Sequence, residues 1–452
     1  MPFISYETAV ARMYALGHEL ANTPSLKFDL VHMRVLLAAL GHPEQRVRGV
    51  LIAGTNGKGS TAATLASILQ ASGIRTALYT SPHLVKINER IQLNGTPISD
   101  DDFALLHDVV DRTAERLVGE GDLPWHPSFF EMLTAMAFEY FARQRVDIAV
   151  LEVGMGGRLD ATNVIDPLVS VITDVSLDHQ KFLGNTVAEI AREKAGIFRA
   201  GGVVVTLPQQ PQANDVIGKA IMDLGARGVS AVPYVPPVSP ASARFQTDHE
   251  SKYLSRYPLS VMGKEILIES PLAGRHQLRN LGLAIATADE LSKQGFPITP
   301  ESIERGIRET RWPGRFQVIP PHAGWPEYVL DVAHNPAGAW ALRSTLSAYY
   351  EDRRFSLIFG AMRDKAIGEI AEILFPLADQ VIITRADNPR SASGDEIRQA
   401  ASRTSTEIVE APDVQSALQM KTGELVIITG SIYIVGEAIQ VIESRTPGRK
   451  RP

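Results

Sequence analysis

No cysteine occurs among the 452 residues, which excludes disulfides and thiolate metal sites and removes any need for an oxidising compartment. No run approaches the ~20 consecutive apolar residues of a membrane-spanning helix. Met1 to Leu20 carries Glu7 and Arg12 in an amphipathic pattern where a secretory leader would need a continuous apolar core. Long basic blocks are missing as well. With 45 Lys and Arg against 51 Asp and Glu, the formal net charge is -6, the wrong balance for a protein held to nucleic acid by phosphate neutralisation. The tail Arg449-Lys450-Arg451 reads as a solvated end, and no repeat of solenoid period is present. The expectation is a cytoplasmic protein that partners neither membrane nor nucleic acid.

What is there is ordinary globular material, 44% hydrophobic and 21% charged, in a chain too long for one core. Apolar runs at Val50–Ile52, Thr76–Tyr79, Asp147–Leu151, Val169–Ile172 and Val203–Thr206 alternate with helical patterns at Asp101–Leu117, Phe129–Arg143 and Val187–Lys194. Strand, helix, strand in succession predicts a mostly parallel sheet covered on both faces. From Val232 to Ser270 the prolines 233, 236, 237 and 240 predict a loop, with a small β excursion at Lys264–Ile268. A long helix over Arg275–Gln294 follows.

The prolines of Gly295-Phe296-Pro297-Ile298-Thr299-Pro300 then predict a domain boundary, giving domains 1–296 and 297–452. In the second, strands at Tyr328–Val332, Ser356–Gly360, Val381–Thr384 and Val426–Thr429 alternate with helices near Ala337–Tyr349, Gly368–Leu374 and Ser431–Glu443. The expected fold class is α/β: an N-terminal domain of phosphate-loop type on a mostly parallel sheet, plus a smaller C-terminal Rossmann-like α/β domain. The second domain has no glycine-rich phosphate loop, so it is expected to assist the first.

Ala53-Gly54-Thr55-Asn56-Gly57-Lys58-Gly59-Ser60-Thr61 lies between a β-branched run and an Ala- and Leu-rich stretch that Gly73 is placed to stop. Such a loop aims backbone N–H groups at a helix start, where phosphate is favoured. The strict G-x-x-x-x-G-K-[ST] spacing is not met: Gly54 precedes Gly57 by three residues instead of five, and Gly59 separates Lys58 from Ser60. On pattern alone, phosphate binding and a turn that merely needs glycine for φ > 0 both stay open.

Three further segments follow predicted strands and so share one edge of the sheet, where ligands collect. Glu152 opens a run with Gly154, Gly156 and Gly157; it is either a magnesium ligand or an acid that solvates a loop. Ser81-Pro82-His83 offers a hydroxyl to a hard cation, and Asp178-His179-Gln180 offers an imidazole, each with a purely structural alternative. Lys194 ends a helix, where a lysine ordinarily complements the helix dipole.

The strings GTNGKGS, TSPHL, E-x-G-x-G-G-R-x-D-A-T-N, LDHQKFLG, EKAGI, GRHQLRN, WPGRF, DVAHNP and GAMRDK run in this order from Gly54 to Lys365. The set resembles the bifunctional dihydrofolate synthase/folylpolyglutamate synthases of the Mur ligase superfamily. The resemblance implies an ATP-dependent amide ligase that joins L-glutamate to 7,8-dihydropteroate and to reduced folates through an acyl phosphate. It also implies ATP and two magnesium ions as cofactors and a monomer. The family alternatives are a monofunctional folylpolyglutamate synthase and a Mur-type ligase for another acyl substrate; outside ligases, the alternative is a nucleotide-binding switch.

Carried over residue by residue, the resemblance makes Gly54, Thr55, Asn56, Gly57, Lys58, Gly59 and Ser60 the phosphate loop, with Lys58 reaching the β- and γ-phosphates. Ser81 and Glu152 are similar to ligands of one magnesium and His179 to a ligand of a second. Lys194 matches a lysine that is carbamylated in this family, which turns a cation into an anionic metal ligand. Asn280 resembles an adenine-reading asparagine, and Arg315 an arginine that crosses from the second domain to the γ-phosphate. Asp331 and His334 match residues near ribose and phosphates, and Lys365 an active-site contact. Phe130, Asp160 and Ala161 resemble the pteridine site, with Asp160 expected to accept hydrogen bonds from pterin nitrogens.

Overall fold

Gly49–Ala53, the apolar run before the glycine loop, is a strand buried along its whole length. In the computed structural model, which describes residues 4–17, 29–236, 254–322, 324–351 and 353–445, this strand (β1) is central to an eight-stranded sheet. The others are β2 (Thr76–Tyr79), β3 (Ile91–Leu93), β4 (Thr96–Pro97), β5 (Ile148–Glu152), β6 (Val169–Ile172), β7 (Val203–Thr206) and β8 (Arg227–Ser230). Their order is β4-β3-β2-β5-β1-β6-β7-β8. All pairings from β2 to β8 are parallel; β3 and β4 add an antiparallel edge.

The helix Lys58–Ala71, directly after the loop, is buried at nearly every position, as a helix covered on several sides must be. It packs between the sheet and the helices Arg275–Ser292 and Pro300–Glu309. On the other face the helices Tyr6–Ala15, Leu30–Ala39, Asp100–Glu120 and Phe129–Arg143 share one core. The small β excursion expected at Lys264–Ile268 is larger: β9 (Ser255–Val261) and β10 (Lys264–Ser270) pair over seven residues as an antiparallel hairpin. Pro237 and Pro240, and the basic tail, lie outside the described residues.

A second sheet holds β11 (Gln317–Ile319), β12 (Glu327–Leu330), β13 (Ser356–Phe359), β14 (Gln380–Ile383), β15 (Ile408–Glu410) and β16 (Leu425–Thr429) in the order β11-β12-β16-β13-β14-β15. It is parallel except at β11, and it has its own two-sided core.

The prolines near residue 297 do not lead the chain out of the first body. Pro300 is the first residue of the helix Pro300–Glu309, capped by Thr299, a position where proline fits without loss because its missing N–H would have no partner anyway. Ile303 and Ile307 of that helix enter the first core, and a Cβ at Gly306 would lie 2.4 Å from Ile68 Cα. We place the passage to the second sheet after Thr310 instead of at 296/297.

Candidate active site

The carboxyl ends of both sheets open onto one cleft of about 760 Å³, and every candidate residue named above lines it. Open α/β sheets bind ligands at this edge, where the order of strands reverses. Here the reversal falls between β1 and its neighbours β5 and β6.

Gly57, with φ of 87°, turns the chain from β1 into the helix start, a left-handed conformation that glycine adopts without strain. The loop is also packed too closely for side chains. A Cβ at Gly57 would lie 2.2 Å from Asn280 Oδ1, one at Gly59 would lie 2.7 Å from Trp312 Cζ2, and one at Gly54 would overlap Thr173 Oγ1. The loop is pinned to the strand-end segment after β6, where Thr55 N donates to Asp174 O at 2.6 Å and Asn56 Nδ2 to Ser176 Oγ at 3.2 Å. Lys58 folds back over the loop, its Nζ donating to the carbonyls of Gly54 (3.2 Å) and Thr55 (3.3 Å).

Glu152 ends β5, and its Oε2 accepts from the backbone amide of Ser81 at 3.2 Å, which brings the two expected magnesium ligands side by side. Lys194 does not serve its own helix end, as a dipole partner would. It is buried, and Nζ donates to Gly54 O at 2.7 Å. Burial and then the charge of Lys58 bring its pKa down to about 7, against the opposing pull of Asp178, Asp160 and Asp174. The loop Gly154–Asp160 is bolted to this helix: Arg158 Nε and Nη2 both reach Glu193 Oε1 at 3.1 Å.

The second sheet supplies the opposite wall. Arg315 sits where burial lowers its pKa while Asp331 and Glu152 raise it, so the guanidinium lies between carboxylates of the two bodies. Asp331 takes a backbone amide on each oxygen, Phe316 N and Ala333 N, both at 2.9 Å. His334 Nδ1 lies 2.9 Å from Val332 O, so Nδ1 carries the proton and Nε2 is left as an acceptor. Burial brings its pKa, like that of His179, down to about 4. Asn280 Nδ2 donates to Gln277 Oε1 at 2.9 Å beside the phosphate loop.

Phe130, in the first turn of the helix Phe129–Arg143, packs on the glycine run: a Cβ at Gly154 would lie 2.5 Å from its ring. Ala161 is buried in the core against which Phe130 packs. Asp160 departs from expectation. Its carboxylate is turned into its own loop, accepting from Met155 N (3.0 Å), Thr162 N (3.0 Å) and Thr162 Oγ1 (2.6 Å), so it shapes the wall instead of offering an open acceptor.

Sequence reasoning passed over two residues that line the cleft, Asn335 and Asp178, and one packed behind its loop, Trp312. Asn335 Nδ2 donates across the cleft to Asn56 Oδ1 at 3.0 Å, and its own Oδ1 caps Gly338 N; an Asn before Pro336 at a helix start was the available signal. Asp178 accepts from Lys365 Nζ at 3.0 Å, again between the two bodies. Trp312 was read only as a neighbour of Arg315, yet it lies on Gly59.

A glycine loop at a helix start, closed over by a second α/β sheet that brings an arginine, is the arrangement of an ATP-dependent ligase of the Mur type. The Mur ligase middle domain matches residues 131–288, and the Mur ligase glutamate ligase domain matches residues 314–432. The chain is 36% identical over 421 residues, 91% of its length and 94% of the relative's, to the dihydrofolate synthase/folylpolyglutamate synthase of Bacillus subtilis. It superposes on the crystal structure of folylpolyglutamate synthase from Thermotoga maritima with a TM-score of 0.81 at 30% identity, covering 98% and 97% of the two chains. An FPGS–AMPPCP–folate complex superposes with a TM-score of 0.79 at 31% identity, covering 97% of this chain and 100% of that one. The chain belongs to the dihydrofolate synthase/folylpolyglutamate synthase family, and it is an ATP-dependent glutamate ligase.

Proposed function

We propose that the protein joins L-glutamate to 7,8-dihydropteroate and extends reduced folates by γ-linked glutamates, in two steps at this cleft. A carboxylate is a poor electrophile. Its oxygen attacks the γ-phosphorus of ATP, ADP leaves, and an acyl phosphate forms; the glutamate amine then attacks the acyl carbon and inorganic phosphate departs. No nucleophilic side chain is needed. The work of the protein is positioning and charge neutralisation.

In this reading the amides and Lys58 of the Gly54–Ser60 loop hold the phosphates, and Asn280, Asp331 and His334 orient the nucleotide. Arg315 arrives with the second sheet and stabilises charge developing on the transferred group. The Phe130–Gly154 wall takes the pteridine, with Asp160 and Ala161 behind it. Ser81 and Glu152 form a sparse pair of hard oxygen donors, which fits magnesium because that ion keeps waters and substrate phosphates as its remaining ligands. A second magnesium would be held by the neutral imidazole of His179 and a carbamate on Lys194, whose amine, buried against Lys58, is suited to react with carbon dioxide. Bound magnesium supplies Lewis-acid neutralisation of the phosphate oxygens. A cytoplasmic monomer, each cleft built from one chain, completes the proposal.

The observation that carries this reading is one cleft with a phosphate loop on one side, a Phe130 wall on another and Arg315 opposite. Purified protein with Mg-ATP and glutamate is given dihydropteroate or tetrahydrofolate separately, with ADP release followed and products identified by mass. One added glutamate in each reaction supports both activities. Silence with both substrates rejects the proposal, and sedimentation of the active species tests the monomer.

A further inference from the structure

Beside the cleft, a cluster of titratable groups meets its wall through one turn of chain. Arg12 of the helix Tyr6–Ala15, Asp111 of the helix Asp100–Glu120, and His126 just before the helix Phe129–Arg143 form a line. Arg12 Nη1 lies 3.1 Å from Asp111 Oδ2, and Asp111 Oδ1 lies 3.1 Å from His126 Nε2. The other ring nitrogen, Nδ1, lies 3.0 Å from the carbonyl oxygen of Pro127. A carbonyl and an ionised carboxylate can only accept, so both nitrogens of His126 must donate, and only the imidazolium does that.

The surroundings agree. The bond to Asp111 raises the His126 pKa against the effect of burial, with Glu115 adding to it, and the same bond lowers that of Asp111. His107, fully buried on the same helix with neither ring nitrogen partnered, has a pKa lowered by burial, so it stays neutral and brings no competing cation. Asp108 is paired with Arg112. From the helix Leu30–Ala39, His32 meets the neighbouring Trp125 edge-on at 4.7 Å.

Pro127 immediately precedes Ser128, the cap of the helix that carries Phe130. Ser128 N and Oγ both bond Glu131 Oε2, at 2.8 and 2.7 Å, in a capping box. The direction of the Pro127 carbonyl therefore sets how this helix starts, and Phe130 stands in its first turn against Gly154.

We infer that His126 is a positioning residue for the pteridine side of the cleft: clamped between Asp111 and the Pro127 carbonyl, it fixes the helix start that presents Phe130, and it releases one end when the ring loses a proton. The inference rests on the assignment of the Phe130 wall to the pteridine. A histidine whose pKa is raised by its partner holds that partner at low pH and loses it as pH rises through the raised value. The KM for dihydropteroate should then rise with pH while the KM for ATP does not.

The test is steady-state kinetics on the full enzyme from about pH 6 to about pH 9, comparing wild type, His126→Gln and Asp111→Asn, with melting temperatures recorded at each pH. Wild type is expected to show a several-fold rise in the KM for dihydropteroate. His126→Gln should be raised and flat, and Asp111→Asn should keep the rise but move its midpoint to lower pH. Ionisation of the substrate itself is common to all three. Equal profiles for wild type and His126→Gln, or an equal change in the KM for ATP, overturn the inference. If His126→Gln does not fold, the midpoint in Asp111→Asn decides, and an unmoved midpoint overturns it. Phe130→Ala separates the two readings: an unchanged KM for dihydropteroate removes the pteridine assignment itself, whereas a raised one beside an unmoved pH profile in His126→Gln removes the clamp alone.

Discussion

Lys58 and Lys194 converge on the same acceptor, the carbonyl oxygen of Gly54, from 3.2 and 2.7 Å. One comes from the helix after the loop, and the other stands 140 residues beyond Gly54 along the chain. Burial first, and then the neighbouring Lys58 charge, disfavour the ammonium form of Lys194 and bring its pKa down to about 7.

A lysine amine that is largely neutral above pH 7 can add carbon dioxide, so activity should depend on bicarbonate. Protein freed of carbon dioxide at low pH should regain activity on adding bicarbonate, faster as pH rises through about 7. Labelled bicarbonate should give a carbamate signal in carbon NMR that is missing in Lys194→Arg. That variant should lose roughly 100-fold or more in kcat, the scale of removing a principal electrostatic stabiliser. Full activity in Lys194→Arg would sink the carbamate and leave Lys194 a structural donor to Gly54.

The glycines of the loop predict a graded response. Gly57→Ala combines a left-handed backbone, costing about 1–2 kcal/mol, with a Cβ 2.2 Å from Asn280 Oδ1. Gly59→Ala has no such backbone demand but drives its methyl into Trp312 at 2.7 Å. Both should weaken nucleotide binding, read by calorimetry with a non-hydrolysable ATP analogue. In Gly59→Ala, replacing Trp312 by a smaller residue should recover part of the loss, because the clash is with one side chain. No recovery in the double variant would mean that the loop is disturbed some other way.

The loop, the buried strands β1, β2, β5, β6 and β7, and the main helices were legible because each is a run of one character bounded by a stop signal. β8 was not: it lies at the sheet edge with mostly exposed residues, so no apolar run marks it. Pro300 misled because one residue type serves two purposes, breaking a chain or starting a helix, and only the burial of Ile303 and Ile307 decides between them. Lys194 looked like a helix-end cation since its sequence neighbours say nothing of Gly54. The cross-cleft partners Asp178 with Lys365 and Asn56 with Asn335 were invisible for the same reason, as each bond joins residues from different bodies.

Arg315 reaches the cleft from the chain that joins the two bodies, and in the proposed mechanism its charge acts when both are closed together. Arg315→Ala should lower kcat by about 100- to 1,000-fold, with a smaller effect on nucleotide affinity, since the loop proposed to hold the phosphates belongs to the first body. Arg315→Lys keeps the charge but loses the planar fork, and should recover only part of the rate. Rapid-quench measurement of ADP formation places the loss in the phosphoryl-transfer step; a loss confined to nucleotide binding would contradict the assignment.

Closure itself has a handle in the ion pair of Lys365 Nζ and Asp178 Oδ1, 3.0 Å apart and mostly buried on both sides. Burial would raise the Asp178 carboxyl, but His179, Lys365 and His334 together hold it well below the usual carboxylate range, so it is ionised and needs its partner. Lys365→Met leaves that charge unpaired in the closed cleft, at a cost of about 3 kcal/mol, which lowers the ratio of closed to open states about 100-fold. Nucleotide binding to the first body should survive while turnover falls, and small-angle scattering should show a larger radius of gyration. Asp178→Asn combined with Lys365→Met removes the stranded charge and should restore part of the compact state, a coupling of about 1–3 kcal/mol. If Lys365→Met scatters and turns over like wild type, the pair is an incidental contact, and closure depends on Asn56, Asn335 and the substrates instead.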